Sequence, residues 1–316
     1  NPLRLSEIAA RLDGDVRVVG ADPLITGVTH DSRSVGPGDL FVAIPGAVVD
    51  GHDYVESAFA SGAAAVVVER HVDCPSCVVV PDARAALPWI AAAVYGDPSL
   101  RLPVVGVTGT NGKTTVTHLL EQIVIAAGHT PGIVGTIGAR IGRTETAVPR
   151  TTPEASNLQQ LLSEMISAGV DIAAIEVSSH ALSLHRVDAI RFRVAAFTNL
   201  MHDHLDFHGD MNRYFAAKAS LFTPERADHA VIGVDGEAGR RIAAAAMMPT
   251  TTVALDREAD ITAGSVEESF DGSSFTIHAP NEEFAVYLPI PGRFNIQNAL
   301  IAAAIALQLE IDTDAI

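Results

Sequence analysis

The segment from Pro103 to Thr115 has the sequence PVVGVTGTNGKTT, which is an apolar strand, a glycine-rich turn and the start of a helix. In this context backbone N–H groups and a helix N-terminus can bind phosphate groups. Gly109 and Gly112 allow the backbone to approach a phosphate closely, and Lys113 can reach its oxygens. The residues of this segment that we expect to bind a nucleotide are Gly109, Thr110, Asn111, Gly112, Lys113, Thr114 and Thr115.

The spacing of the glycines distinguishes this segment from the common phosphate loop. It is G-x-x-G-x-x-G-K-T from Gly106 to Thr114, whereas the common motif is G-x-x-x-x-G-K-[ST]. An ordinary glycine-rich turn is the alternative, but Lys113 and Lys218 are the only lysines among 21 basic residues. Because an ammonium group can lose its proton and a guanidinium stays charged, both lysines are candidates for chemistry that arginine cannot perform. Chance in an arginine-biased composition is the alternative for Lys218.

The composition is that of a globular, acidic chain. With 316 residues and 48% hydrophobic content it can bury two cores, and a net charge of −17 argues against a nucleic-acid surface, which needs basic patches. Its apolar stretches are shorter than the ~20 residues of a membrane span, and the first residues do not resemble a secretory signal. We expect a cytoplasmic monomer that binds neither nucleic acid nor membrane. The pair Cys74 and Cys77 lacks further zinc ligands, so two ordinary thiols are expected.

Short apolar strands alternate with helical segments along most of the chain, which predicts an α/β fold. Residues 1–98 indicate a small α/β domain, Gly96-Asp97-Pro98-Ser99 is the candidate linker, and residues 99–316 form the second domain. There the alternation predicts a mostly parallel sheet with helices on both faces. The predicted elements of the second domain are strands at 104–108, 132–136, 171–177, 194–199 and 230–234, helices at 113–127, 153–168 and 211–222, an antiparallel hairpin within 251–288 around Asp271-Gly272, and a final helix from about Asn295.

Two segments rich in acidic residues and histidine follow predicted strands, at the edge where open α/β sheets bind ligands. The first is Glu176-Val-Ser-Ser-His180, and the second runs from Asn199 to Asp210 with His202, His204 and His208 among three aspartates. A polar strand end and a solvated loop are the alternatives, and several kinds of metal site fit such a cluster. Both segments are candidate parts of a functional site.

The sequence TGTNGKTT at 108–115 resembles the phosphate loop of the Mur ligases and their relatives, the folylpolyglutamate and cyanophycin synthetases. These enzymes form an amide bond by phosphorylating a carboxylate with ATP and letting an amine displace the phosphate. Asp203-His-Leu-Asp206 followed by Tyr214-Phe-Ala-Ala-Lys218 is similar to the family's Asp-His pair and lysine-bearing helix. The resemblance implies that Lys218 reacts with CO₂ to give a carbamate, which offers the oxygen ligands that Mg²⁺ prefers.

By the same resemblance, two Mg²⁺ ions would neutralise the charge on the reacting phosphates. Thr114 would hold the first ion, Glu176 and His204 would hold the second, and the carbamate of Lys218 would be a further ligand. Catalysis would then consist of positioning and electrostatics. The implied catalytic residues are Lys113, Glu176, His204 and Lys218, and the implied metal ligands are Thr114, Glu176, His204 and Lys218.

The resemblance also covers the start of the chain. Thr29-His-Asp-Ser-Arg33 and Asp50-Gly-His-Asp-Tyr54 are similar to the UDP-binding domain of the branches that add the third residue (the MurE type) and the terminal dipeptide (the MurF type). The resemblance implies that Ser32 contacts the uridine or the diphosphate, with His30 beside it. A turn between two strands is the alternative.

Three further motifs resemble the MurE type more than the MurF type. They are Gly135-Thr-Ile-Gly138, Thr151-Thr-Pro-Glu154 and the segment from Glu176 to Leu182 with Arg186. A capping box followed by a helix is the alternative for 151–154. Leu184 departs from the pattern, because relatives often carry a polar glutamine there. The residues implied to contact the UDP-muramoyl dipeptide are Thr151, Thr152, Ser178 and Arg186.

Near the end, Gly292-Arg-Phe-Asn295 with Asn298 resembles the segment whose asparagines face the adenine of ATP. A helix cap at Asn295 is the alternative. In this family a third domain binds the incoming amino acid. The sequence stops at Ile316, so we expect little or no ligation from these residues alone.

The resemblance implies a ligase that adds a diamino acid to UDP-MurNAc-L-Ala-D-Glu through an acyl phosphate, in peptidoglycan precursor synthesis. The arginine- and alanine-rich composition favours meso-diaminopimelate over L-lysine as the diamino acid. The alternatives are another Mur-type ligase, a folylpolyglutamate synthetase, or a non-catalytic module that binds a nucleotide or a UDP-sugar. The UDP-domain motifs argue against the folylpolyglutamate synthetase.

Overall fold

The protein is described here from a computed structural model, in which residues 2–46 and 49–316 are defined. Across these residues the chain forms two compact units. The first comprises residues 1–101, 153–164 and 184–189, and the second comprises residues 102–152, 165–183 and 190–316. The first unit therefore includes two short segments from the middle of the chain. No helix of the described residues is long and apolar enough to cross a lipid bilayer.

The first unit is a small α/β fold of short elements. In chain order these are β1 (Leu3–Arg4), α1 (Leu5–Ala9), β2 (Arg17–Gly20), β3 (Leu24–Ile25), β4 (Gly27–Thr29), β5 (Asp39–Val42), α2 (Val55–Ala60), β6 (Ala65–Val68), β7 (Ser76–Val79) and α3 (Ala83–Val94). Among the described residues of this unit, five strands form a sheet in the order β2-β7-β6-β5-β4. Strands β4 to β7 are parallel, and β2 is antiparallel to β7.

Both faces of this sheet are covered, because alternate residues of each strand point to opposite sides. Leu40 and Val42 of β5 pack on the side of α1 and α3, whereas Phe41 packs on the other side with residues of α2. Cys77 lies in this second cluster, and Cys74 packs against it; both are free thiols. Burial, and then the contact with Cys74, raises the pKa of the Cys77 thiol to about 12, so the thiol stays protonated at neutral pH.

The second unit contains most of the remaining elements. In chain order these are β8 (Val104–Thr108), α4 (Lys113–Ala126), β9 (Pro131–Gly135), β10 (Gly138–Ile141), β11 (Thr144–Thr146), α5 (Ala155–Ser167, most of which belongs to the first unit), β12 (Ile172–Glu176), α6 (Ser179–Ser183), β13 (Phe192–Phe197), α7 (Leu205–His208), α8 (Met211–Ala219), β14 (Ala227–Gly233), α9 (Glu237–Ala245), β15 (Thr250–Ala254), β16 (Ile261–Glu268), β17 (Ser273–Ala279), β18 (Glu282–Leu288) and α10 (Arg293–Gln308).

The strands of the second unit, whose residues are all described, form one sheet of eleven in the order β11-β10-β9-β12-β8-β13-β14-β15-β16-β17-β18. The seven strands from β9 to β16 in this order are parallel, and the antiparallel pairs lie at the two ends. The predicted α/β fold with a mostly parallel sheet and a small antiparallel element is confirmed.

One part of the topology differs from the sequence prediction. The hairpin around Asp271-Gly272 is present, but Thr250–Ala254, assigned to that antiparallel region, forms a strand parallel to both of its neighbours. This segment has the sequence TTTVA, and its β-branched residues favour a strand of either direction. The pattern therefore indicated a strand without fixing its direction.

The order of the strands determines where a ligand can bind. The chain leaves β8 towards β9 on one side of the sheet and later returns to β13 on the other side of β8. At such a switch point a crevice forms outside the carboxyl ends of the parallel strands. Helices α4 and α10 pack on the same buried cluster as the central strands, so the start of α4 is held at this edge.

Candidate functional site

The glycine-rich turn follows β8 directly and leads into α4, as the sequence predicts. Gly109 has φ 148° and Gly112 has φ 87°, which are conformations that favour glycine. A Cβ atom at Gly109 would collide with the Thr198 hydroxyl, and one at Gly112 would collide with the Asn298 amide. Lys113, Thr114 and Thr115 are the first residues of α4, whose N–H groups have no partner within the helix. This arrangement can bind phosphate oxygens.

The end of β13 anchors the turn through a network that the sequence motifs did not reveal. The Thr198 hydroxyl donates to the carbonyl of Asn111 over 2.6 Å, and the Asn199 side-chain oxygen accepts from the N–H of Asn111 over 3.0 Å. The Asn199 carbonyl also accepts from the N–H of Thr110 over 2.9 Å. The position of these residues, at the end of a central strand beside the turn, is the signal that could have identified them.

The two lysines of the chain meet at one carbonyl group. The Lys113 ammonium donates to the carbonyls of Gly109 and Thr110, each over 2.9 Å, and the Lys218 ammonium donates to the carbonyl of Gly109 over 2.8 Å. Lys218 is only 1% exposed. Burial, and then the charge of Lys113, lowers the pKa of Lys218 to about 7; burial also lowers the pKa of Lys113. A large fraction of Lys218 is therefore a neutral amine near neutral pH.

Glu176 lies at the end of β12, and its carboxylate accepts hydrogen bonds from Thr114 and Thr136. The Thr114 hydroxyl lies 3.0 Å from both oxygens of the Glu176 carboxylate, while Thr136 approaches it with its N–H at 3.0 Å and its hydroxyl at 3.1 Å. The Glu176 side chain is 1% exposed. The fold thus brings Thr114 and Glu176 into contact, and Thr136 is a neighbour that the site prediction did not include.

These donors suit a magnesium ion. A hydroxyl and a carboxylate are the hard oxygen ligands that Mg²⁺ takes in nucleotide sites, usually together with phosphate oxygens. Within residues 2–46 and 49–316, no group of three or more His, Cys, Asp or Glu side chains is arranged to hold a metal ion. The pair of Thr114 and Glu176 fits an ion that takes few protein ligands and completes its coordination with phosphate oxygens or water. An unmodified Lys218 ammonium is not a ligand for a cation.

His204 lies in the segment between β13 and α7 and adopts φ 52°, which is uncommon outside glycine. Its ring centroid is 5.1 Å from that of His180 and 6.0 Å from that of Tyr214. His208 is buried, and its Nε2 lies 2.9 Å from the Ser179 hydroxyl. Tyr214 lies one helical turn before Lys218. Its ring contacts the rings of His204 and His208 and also the Lys218 ammonium.

The two asparagines of α10 are both buried, and Asn298 lies beside the phosphate turn. The Asn298 side-chain oxygen lies against Gly112, and Asn295 donates to the carbonyl of Pro291 over 2.8 Å. Helix α10 begins at Arg293 with Gly292 as its N-cap, so the alternative that Asn295 caps the helix is wrong.

Three of the residues expected to contact the UDP-muramoyl dipeptide belong to the second unit. The Thr151 hydroxyl lies 3.1 Å from that of Thr136. The Thr152 hydroxyl donates to the carbonyl of Glu176 over 2.7 Å and lies 3.2 Å from the Ser178 hydroxyl. These hydroxyl groups therefore converge on the end of β12.

The other three residues, His30, Ser32 and Arg186, belong to the first unit. Nδ1 of His30 lies 2.9 Å from the Ser156 hydroxyl, and Ser32 begins a short 3₁₀ turn whose N-cap is Asp31. Arg186 is 7% exposed and pairs with Glu154 over 2.8 Å. Helix α5 begins at Ala155, one residue after Glu154, so residues 151–154 do not start the helix as a capping box would.

Comparison with known proteins identifies the chain over most of its length. Residues 107–306 match the family model described as the Mur ligase middle domain, and residues 24–97 match the model described as Mur ligase family, catalytic domain. The chain is 40% identical over 316 residues to the UDP-N-acetylmuramoyl-L-alanyl-D-glutamate–2,6-diaminopimelate ligase of Syntrophomonas wolfei, covering 98% of this chain and 65% of that protein.

The protein of the same name from Streptomyces coelicolor is 44% identical over 313 residues, covering 96% of this chain and 61% of that protein. A solved structure of a UDP-N-acetylmuramoyl-L-alanyl-D-glutamate–2,6-diaminopimelate ligase superposes with a TM-score of 0.87 at 28% identity, covering 100% of this chain and 65% of that one. The chain thus spans less than two thirds of the length of these relatives.

Proposed function

The chain belongs to the Mur ligase family, and on that premise we propose that it carries the ATP and UDP-sugar sites of an ATP-dependent ligase of the MurE type. The reaction is the addition of a diamino acid to UDP-MurNAc-L-Ala-D-Glu, with ATP as the phosphate donor. The names of the relatives in S. wolfei and S. coelicolor support meso-diaminopimelate as the diamino acid, as the composition also suggested.

The observation that carries this proposal is the convergence of Lys113, Lys218 and the phosphate turn at the Gly109 carbonyl. A buried cation is unfavourable unless it is paired or loses its charge. Lys218 is in large part neutral near neutral pH, and an anionic ligand such as a nucleoside triphosphate would offset the charge of Lys113. The turn supplies the N–H donors that such a ligand needs.

The residues of this chain would act by binding and orienting the reactants. In the first step an oxygen of the substrate carboxylate attacks the γ-phosphorus of ATP, the bond to the β,γ-bridging oxygen breaks, and ADP leaves. In the second step the neutral amine attacks the acyl carbon, the bond from that carbon to the phosphate oxygen breaks, phosphate leaves, and the nitrogen loses a proton, which the phosphate product can take up. Lys113 would hold the phosphate oxygens, and the start of α4 would orient them for in-line transfer.

One Mg²⁺ would be held by Thr114 and a second by Glu176 with His204, and the two ions would neutralise the charge of the phosphate oxygens. The contact between Thr114 and the Glu176 carboxylate supports this assignment, because both are oxygen donors. Asn295 and Asn298 would face the adenine, and the position of Asn298 against Gly112 supports this placement.

We also propose that Lys218 is carbamylated. Its neutral amine attacks the carbon of CO₂, a new N–C bond forms, one C=O bond becomes a carboxylate oxygen, and the amine releases a proton. The lowered pKa of Lys218 supports this step, because only the neutral amine is a nucleophile. The product replaces a buried cation by an anion that can bind a metal ion.

We assign the contact with the uridine or the diphosphate of the UDP-sugar peptide to Ser32, with His30 beside it. Further contacts with the UDP-muramoyl dipeptide are assigned to Thr151, Thr152, Ser178 and Arg186. The hydroxyl groups at the end of β12 support the second assignment, because they lie beside Glu176.

Isothermal titration of this chain with UDP-MurNAc-L-Ala-D-Glu, a non-hydrolysable ATP analogue and a folate tests the proposal. We expect the first two ligands to bind and the folate not to bind. Nucleotide binding with folate but without the UDP-sugar would indicate a folylpolyglutamate synthetase, and UDP-sugar binding without the nucleotide would indicate a non-catalytic module. Failure of both expected ligands to bind would contradict the ligase assignment.

A further inference from the structure

Helix α8 contacts the phosphate turn with two side chains that are one helical turn apart. The Lys218 ammonium donates to the carbonyl of Gly109 over 2.8 Å, and the Tyr214 hydroxyl lies 3.0 Å from the hydroxyl of Thr110. Residues four apart on a helix lie on the same face. One face of α8 therefore holds two consecutive residues of the turn.

The Tyr214 hydroxyl reaches Thr110 from within the core. Tyr214 is fully buried, with 0% of its surface exposed, and burial raises the pKa of its phenol, so the hydroxyl keeps its proton at neutral pH. The Thr110 hydroxyl also accepts from the N–H of Met201 over 2.9 Å. Thr110 is thus the point at which the turn, the segment after β13 and helix α8 are joined.

The ring of Tyr214 is itself fixed by its neighbours. Its centroid lies 4.9 Å from the Lys218 ammonium and 5.1 Å from the ring of His208. His208 is in turn held at the Ser179 hydroxyl over 2.9 Å. A buried ring with these contacts keeps its hydroxyl in one position, because buried side chains have little freedom to change rotamer.

We propose that Tyr214 is a positioning residue for nucleotide binding, whose hydroxyl holds Thr110 and thereby keeps the phosphate turn in its binding conformation. The inference rests on the proposed function, since it assumes that the turn binds a nucleotide. Phenylalanine would fill the same space and keep the ring contacts with Lys218 and His208. Tyr214→Phe therefore isolates the contribution of the hydroxyl.

The binding test compares Tyr214→Phe with Tyr287→Phe, which removes a hydroxyl on β18 that donates to the backbone carbonyl of Asp271 in the turn between β16 and β17. Titration with ADP is expected to show about two- to tenfold weaker binding for Tyr214→Phe, as for the loss of one neutral hydrogen bond, and no change for Tyr287→Phe. UDP binding should be unchanged in both variants. In a Thr110→Val background the Tyr214→Phe change should have no further effect, because both remove the same contact.

A second measurement does not depend on the nucleotide. Hydrogen exchange of the ligand-free chain is expected to be faster in a peptide covering residues 106–115 for Tyr214→Phe, and to match the wild type for Tyr287→Phe. Unchanged exchange, unchanged ADP affinity, or independent effects of the Tyr214 and Thr110 substitutions would overturn the inference. If the wild type bound no ADP while exchange in the variant rose, the proposed function would fail and the anchoring role of Tyr214 would stand.

Discussion

The candidate residues of the two units lie in different environments. In the second unit Lys218 is almost fully buried, and Lys113 donates to the same backbone carbonyl. In the first unit His30 and Ser32 are half-buried, and the turn that begins at Ser32 is held by local contacts between Asp31 and Arg33. Charge held inside a core has an energetic cost that a surface turn does not carry. A function is therefore easier to infer from the two lysines of the second unit than from the turn that begins at Ser32.

Gly109→Ala should have the largest effect and tests how rigid the phosphate turn is. The new Cβ would meet the Thr198 hydroxyl and would require a backbone conformation that favours glycine. We expect a loss of about 3 kcal/mol in the free energy of unfolding, measured by urea denaturation. The control is Gly128→Ala, which also has a positive φ of 80° but no heavy atom within 4 Å of the new Cβ, so about 1 kcal/mol is expected. Equal losses for the two variants would mean that the turn is not tightly packed.

Lys113→Met should have the next largest effect. It should change ligand binding by the second unit and leave ligand binding by the first unit as it is. Loss of a charge-assisted hydrogen bond to phosphate is expected to weaken ADP binding about 30-fold, which is about 2 kcal/mol. The affinity for UDP should not change, because the nucleotide end of that ligand is assigned to the first unit. The control is Arg143→Met, which removes an exposed cation of the second unit. Equal loss of ADP affinity in both variants would indicate a general charge effect.

Ser32→Ala should have the smallest effect and tests the first unit. If its hydroxyl contacts the uridine or the diphosphate, affinity for UDP should fall about two- to tenfold, while ADP binding stays the same. Ser34→Ala is the matched control, because Ser34 lies in the same turn and is exposed. If both variants bound UDP like the wild type, Ser32 would be only a turn residue.

The sequence predicted the phosphate turn and its flanking elements well, because their signals are local. The predicted strand at residues 104–108 matches β8 residue for residue, and the helix from Lys113 ends one residue earlier than predicted. Hydrophobic runs and glycine spacing determine such segments without reference to the rest of the chain. The assignments of individual residues to ligands remain predictions.

The partners of the turn were not predictable in the same way. Tyr214 meets Thr110 across 104 positions of sequence, and Asn199 meets Asn111 across 88. Contacts of this kind depend on which strand ends become neighbours, and hydrophobic patterns do not determine the order of strands. For the same reason, no local sequence pattern indicated that residues 153–164 belong to the first unit.

The most direct test of the account is whether the buried Lys218 forms a carbamate. It can be measured by ¹³C NMR of the chain equilibrated with ¹³CO₂ across a pH series at constant dissolved CO₂. The folded pKa of Lys218 is about 7, below the ordinary lysine value of 10.5, so its neutral form increases as pH rises through 7. We predict a carbamate signal that grows between about pH 6 and 8 and is absent from Lys218→Arg. In Lys113→Met the midpoint should move to higher pH, because a neighbouring positive charge is removed. A wild-type chain without a carbamate signal, or a signal that persists in Lys218→Arg, would contradict the account.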